Sequence, residues 1–94
     1  MIQVTDAAKR QLKAVTEERK LPPGKFLRLT VPPAWSGEGD FGIVIDDRGS
    51  ADVAVTLDGR TVLLVGPETT ERVLNSVLDF KTPPDGPRFT LDVY

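Results

Sequence analysis

The sequence predicts a single, mostly β, α+β domain, and three features lead to that prediction. One amphipathic segment with helical spacing lies near the start of the chain. Several short apolar or alternating segments follow it, as is typical of strands. An Asp-Gly pair, Asp58-Gly59, separates two of those segments and favours a tight hairpin. With 94 residues and no linker or repeat, residues 1–94 are expected to form one domain.

The first element is predicted to be a helix over Thr5 to Lys20. Thr5 is a suitable N-cap because its hydroxyl can accept an otherwise unpaired first-turn N–H. Pro22 and Pro23 end the helix, since proline cannot continue it. A narrow apolar stripe at i, i+4 and i+7 spacing is expected to face the sheet, formed by Ala8, Leu12 and Val15.

Strand patterns and one more helical segment account for most of the remaining chain. The predicted strands are Phe26–Val31, Phe41–Asp46, the two arms around Asp58-Gly59 within Asp52–Val65, Val77–Lys81 and Arg88–Val93. A short helix is expected after the hairpin, where Pro67 suits the first helical position. A two-residue turn sets the register of the hairpin, so Val55 and Leu64 are expected on one face. One continuous core is predicted to include Leu29, Val55, Leu64 and Leu91.

Composition excludes several classes of function. The sequence has no cysteine and no histidine, which removes thiolate metal sites, thiol nucleophiles and the commonest general base. Its 12 basic and 14 acidic residues are interspersed, so no basic patch for nucleic acid is expected. No apolar run reaches the roughly 18 residues of a membrane span, and no secretory signal is visible, so a cytoplasmic location is expected.

The loop Pro32–Phe41, with the sequence PPAWSGEGDF, holds the only tryptophan. Prolines precede Trp35 and glycines follow it, which predicts a loop rather than a regular element. A tryptophan on a loop either packs back onto its own chain or anchors a partner, because tryptophan is enriched at interface hot spots. Ser36 has no histidine to activate it, so the serine is not expected to be catalytic.

The order of these segments resembles the HesB/IscA-like family of A-type iron–sulfur cluster carriers. The segments VTDAAKRQLKAV, FLRLTV, WSG before FGIVID, LDGRTVLLVGPETTERVLNSVLDF and RFTLDV are similar to successive family motifs. The resemblance covers nearly the whole chain. It implies a HesB-like domain with an N-terminal helix and a short helix after the Asp-Gly hairpin. The twisted mixed or antiparallel sheets would form a flattened sandwich or partial barrel.

The same resemblance implies a change at the cluster site. Trp35 stands where the family places its first cluster-binding cysteine, and the other two cysteines belong to a tail that would begin near Tyr94. All three thiolate ligands are therefore expected to be absent, although the family implies an iron–sulfur cluster. The resemblance also implies self-association through this region, so a homodimer is one expectation.

These observations lead to a functional hypothesis and one alternative. The hypothesis is a non-enzymatic module of the iron–sulfur cluster biogenesis family that binds a protein partner or itself, without a cofactor. Its predicted partner-binding residues are Trp35, Ser36, Gly37 and Phe41. The alternative is a small-ligand or metal-ion binder that uses loop carboxylates as oxygen ligands, from Glu38, Asp40, Asp46 and Asp47.

Overall fold

A computed structural model describes residues 2–93 of the chain. The described part contains two helices and seven strands, which confirms the mostly β, α+β class. In chain order the elements are β1 (Gln3–Val4), α1 (Asp6–Arg19), β2 (Lys25–Thr30), β3 (Gly42–Asp47), β4 (Val53–Leu57), β5 (Arg60–Val65), α2 (Pro67–Arg72), β6 (Ser76–Lys81) and β7 (Arg88–Val93).

The strands form two mixed sheets. The larger has the order β3-β2-β5-β4, in which β2 and β5 run parallel and the other neighbours antiparallel. The smaller has the order β1-β6-β7, with β1 and β6 parallel and β6 and β7 antiparallel. Within residues 2–93 neither sheet closes into a barrel, and α1 packs against strands of both sheets. Of the two architectures that the family resemblance implies, a flattened sandwich or a partial barrel, the arrangement is the flattened sandwich.

Helix α1 begins and ends where its residues favour a boundary. Thr5 is the N-cap, and its hydroxyl accepts the backbone N–H of Ala8 at 3.1 Å. Lys20 ends the helix in the left-handed conformation, at φ 49°. The Thr5 hydroxyl also donates to Asp79 Oδ1 on β6 at 2.6 Å, and this bond holds the pKa of Asp79 below its ordinary value. The helix start is therefore tied to the smaller sheet.

The hairpin of β4 and β5 has the predicted turn but not the predicted register. Asp58 and Gly59 both have positive φ, at 52° and 78°, as a type I′ turn requires. The register then shifts between Thr56 and Val55. As a result Val55 pairs with Leu63 instead of Val62, the partner that an uninterrupted hairpin would give it. This β-bulge exchanges the two faces of β5, so the expectation that Leu64 shares the face of Val55 is wrong.

The core lies between the two sheets and under α1. Its largest fully buried members include Leu12, Leu29, Leu63 and Leu78. Of the residues predicted for it, Leu29 and Val55 belong to this cluster, and Leu91 packs against it. Leu64 is also fully buried, but it lies outside the cluster because the bulge turns it to the other face of the sheet. No helix within residues 2–93 has the length and apolarity needed to cross a membrane.

Candidate interaction site at the Trp35 loop

The loop between β2 and β3 is fixed at both ends. Val31 at its start is buried, and Phe41 at its end packs against the core cluster. The backbone N–H of Trp35 donates to the carbonyl of Val31 at 3.0 Å, which closes a turn after β2. Between these anchors Ser36 and Gly37 are exposed. The loop therefore presents its middle to solvent while its ends are held by the fold.

The indole of Trp35 lies in a cradle made by two glycines. A Cβ at Gly42 would stand 2.4 Å from Cε3 of the indole, and a Cβ at Gly37 would stand 2.3 Å from Cζ2. Those separations are far shorter than any real contact, so the ring occupies space that only glycine leaves open. The indole N–H donates to the carbonyl of Glu38 at 3.1 Å. Trp35 is partly buried, with its one polar atom satisfied by its own loop.

Strand register shows which face of the sheet carries the indole. Gly42 begins β3 opposite Thr30, and the next residue, Ile43, packs against the core. Because side chains alternate along a strand, the Cβ direction of Gly42 points away from that core. Trp35 therefore lies on the outer face of the larger sheet, defined here as the face opposite the core cluster. The ring folds back onto the sheet, but it does not cap the core.

Replacing Gly42 with alanine is expected to displace the indole, because the added methyl group overlaps the ring. We expect the tryptophan emission to move to longer wavelength and the free energy of unfolding to fall by about 1–3 kcal/mol. Fluorescence spectra and urea denaturation measure the two effects. Ser36→Ala is the control, since Ser36 is exposed next to Trp35 and its change should leave the emission unaltered. Unaltered emission of Gly42→Ala would mean that the ring does not rest on this glycine.

The four loop carboxylates are not gathered into one group. Glu38 and Asp40 are exposed on the loop. Asp46 accepts from Arg28 Nε at 3.0 Å, whereas Asp47 pairs with Lys25 Nζ at 2.8 Å and raises the pKa of that lysine. Within residues 2–93 there is no cluster of three or more acidic residues that could hold a metal ion. The structure thus gives no support to the alternative of a carboxylate metal site.

An ion-pair network on the outer face was not predicted from the sequence. The guanidinium of Arg28 makes a bidentate pair with Asp52, with Nη1–Oδ1 at 2.7 Å and Nη2–Oδ2 at 2.5 Å. Nη2 also donates to the carbonyl of Asp47 at 3.0 Å, and the backbone N–H of Gly49 donates to Asp52 at 2.6 Å. These bonds, led by the one from Arg28, lower the pKa of Asp52. The network joins β2, β3 and the turn before β4.

The position of this network relates it to the candidate site. Arg28 stands two residues before Thr30 on β2, so the two side chains share the outer face on which the indole lies. The side chains of Arg28 and Asp52 are only 15% and 5% exposed, so both groups are held in fixed positions. One sequence signal indicated this ion pair, because Arg28 stands between two leucines in a strand and therefore needs a carboxylate on its own face of the sheet. Its partner is 24 residues away in the chain, and only the fold brings the two together.

Comparison with known proteins finds similar structures but no similar sequences among family models or curated proteins. No protein-family model matches the sequence, and no curated protein matches it. Solved structures do match. SufA of Escherichia coli, described as involved in the biosynthesis of iron–sulfur clusters, superposes with a TM-score of 0.67 at 21% identity, over 98% of this chain and 84% of SufA. The chain has a HesB/IscA-like fold.

Two further structures agree with this assignment. A structure of IscA with a [2Fe–2S] cluster gives a TM-score of 0.63 at 21% identity, over 99% of this chain and 82% of IscA. A protein from Aquifex aeolicus, solved by NMR in solution, gives 0.66 at 24% identity, over 99% and 91% of the two chains. The HesB/IscA-like fold confirms the resemblance predicted from the sequence motifs. It is here built by a chain without cysteine.

Proposed function

We propose that this HesB/IscA-like domain is a non-enzymatic protein-interaction module, related to iron–sulfur cluster assembly, that contacts its partner through the Trp35 loop. The observation that carries the proposal is the fixed position of an indole on an exposed loop. A side chain already ordered before binding loses little conformational entropy when a partner covers it. Tryptophan also contributes large apolar area, which is why it is frequent among interface hot spots.

The neighbours of Trp35 have separate roles in this proposal. Ser36 and Gly37 are exposed beside the indole and supply the polar rim and the close backbone approach. Phe41 packs against the core cluster, so its role is to anchor the loop. Glu38 and Asp40 add two carboxylates to the exposed part of the loop, which favours a partner with a basic surface. A second copy of this chain is one form that the partner can take.

The proposal includes no bound cluster or metal and places the protein in the cytoplasm. Iron–sulfur clusters are held mainly by cysteine thiolates, with histidine in some cases, and this 94-residue chain has neither residue. Where the resemblance implies the first cysteine ligand, the chain carries Trp35, whose nitrogen donates a hydrogen bond and has no lone pair for a metal. The donor set therefore does not fit an iron–sulfur cluster.

Anaerobic reconstitution with iron and sulfide is expected to leave the purified chain colourless, because thiolate ligands are absent. Visible absorption spectra after desalting measure the result, with a cysteine-containing HesB/IscA-like protein treated in parallel as the positive control. A stoichiometric cluster spectrum that survives desalting would refute this part of the proposal.

Trp35→Ala is expected to weaken binding while the chain still folds. Interface tryptophans can contribute about 2 kcal/mol or more, which corresponds to roughly thirtyfold in affinity. Sedimentation measures self-association, and titration measures binding to a basic partner captured on the immobilised chain. Leu74→Ala is the matched control, since Leu74 is 50% exposed and distant from the loop in sequence. If Trp35→Ala lowers only the stability of the chain and leaves every association unchanged, the indole serves packing and the proposal is wrong.

A further inference from the structure

A second concave surface opens on the core side of the larger sheet, between that sheet, α1 and β7. It is a groove with a volume of about 400 Å³. Leu12 and Leu27, which are almost fully buried, form its floor. Val15, Ile43 and Phe89 form its walls and are only partly buried. A groove of this size and apolarity falls within the range of small-molecule sites in proteins.

The rim of the groove combines one apolar and one cationic group. Ile45 on β3 is 48% exposed and adds apolar surface at the edge of the groove. Arg19 is the charged residue that lines the groove, and within residues 2–93 it forms no ion pair. The nearest carboxylate along β3 on the same face as Ile45 is Asp47, which Lys25 already pairs at 2.8 Å. Within residues 2–93 the rim therefore offers a guanidinium that no carboxylate pairs.

We propose that this groove, defined by the residues above, binds an amphipathic carboxylate of the medium-chain fatty acid type. The alkyl chain would cover the buried floor of the groove and lie against Val15, Ile43 and Ile45, whose exposed apolar surface it removes from water. The carboxylate would accept hydrogen bonds from the Arg19 guanidinium, whose planar fork matches a carboxylate in geometry. A polar small molecule would leave the floor of the groove poorly covered, and an uncharged one would leave Arg19 unpaired.

This inference does not depend on the proposed interaction through Trp35. The groove lies on the core side of the larger sheet, whereas the indole lies on its outer face. No residue of the Trp35 loop lines the groove. Loss of partner binding in Trp35→Ala therefore says nothing about the groove, and loss of ligand binding in a groove variant says nothing about the partner.

Titration with decanoate tests the proposal, followed by the ¹³C methyl resonances of the leucine, isoleucine and valine residues. We expect saturable shifts confined to the groove, at Val15, Leu27, Ile43 and Ile45. We expect 1-decanol, which lacks the charge, to bind about two- to fivefold more weakly, as for the loss of one exposed ion pair. Absence of saturable shifts, or shifts spread over the whole chain, would overturn the proposal.

Two variants with one matched control locate the carboxylate. Arg19→Gln should weaken decanoate binding by about two- to fivefold, the same factor as the loss of charge in decanol. The substitution should leave decanol binding unchanged. Arg10→Gln is the control, because Arg10 is exposed on the same helix but does not line the groove. Ile45→Asp should weaken both ligands. Equal decanoate binding by Arg19→Gln and Arg10→Gln would refute recognition of the carboxylate. Groove shifts that depend on protein concentration without ligand would instead identify a second copy of the chain as the occupant.

Discussion

Leu64→Ala is expected to lower the free energy of unfolding by about 2–5 kcal/mol, the usual cost of truncating a fully buried leucine. Leu64 has no exposed surface, although it lies outside the main core cluster. Its cross-strand partners are Arg28 and Ala54, so truncation leaves a void beside a charged network that cannot readily collapse into it. Part of the expected cost is the cavity, and part is the lost transfer of the side chain from water.

Urea denaturation followed by circular dichroism measures this change. Leu74→Ala is the matched control, because the same substitution at a residue that is 50% exposed should change stability by less than about 0.5 kcal/mol. Leu63→Ala, one residue away on the opposite face, should cost about as much as Leu64→Ala, since both side chains are fully buried. An effect of Leu64→Ala as small as that of Leu74→Ala would show that the outer face is not packed at this position.

The comparison of Leu63 with Leu64 also shows what the sequence could predict of the fold. The Asp-Gly turn, the helix with its Thr5 cap and the positions of most strands along the chain were accessible because each depends on local residue chemistry. The sequence could not predict which residues of β5 face the core. Its segment VLLV is apolar without interruption and contains no alternation to set the register. A β-bulge then decided which leucine faces the core, and a bulge depends on packing between strands.

The candidate site was predictable to a similar extent. Proline and glycine around Trp35 indicated a loop, and the structure places one there. The glycine cradle was not predictable, because Gly37 and Gly42 are two and seven residues away and act only when the chain folds back. Nor could the sequence show that Asp46 and Asp47 are each paired with a cation, because their partners Arg28 and Lys25 lie on the neighbouring strand β2. Long-range contacts decide which charged residues are available to a ligand.

Asp52→Asn is expected to lower the free energy of unfolding by about 1.5–3 kcal/mol at neutral pH, the range for hydrogen bonds to charged groups. Asp52 accepts two bonds from Arg28 and one from the backbone N–H of Gly49. Its side chain is 5% exposed, so the asparagine has little access to water in compensation. The substitution also leaves the Arg28 guanidinium without its bidentate partner, which adds a desolvation cost for the charge.

The pH dependence distinguishes loss of this ion pair from a general packing defect. The bonds from Arg28 hold the pKa of Asp52 below its ordinary value in the folded chain. The stabilisation is therefore complete above the unfolded pKa of about 3.9, and it is lost as the pH falls through the lower folded value. Denaturation from about pH 7 to pH 2 should show the wild type and Asp52→Asn converging at the acid end. Asp40→Asn, at an exposed loop position, should follow the wild type throughout. A difference between wild type and Asp52→Asn that stays constant down to the acid limit would mean that ionisation of Asp52 does not stabilise the outer face.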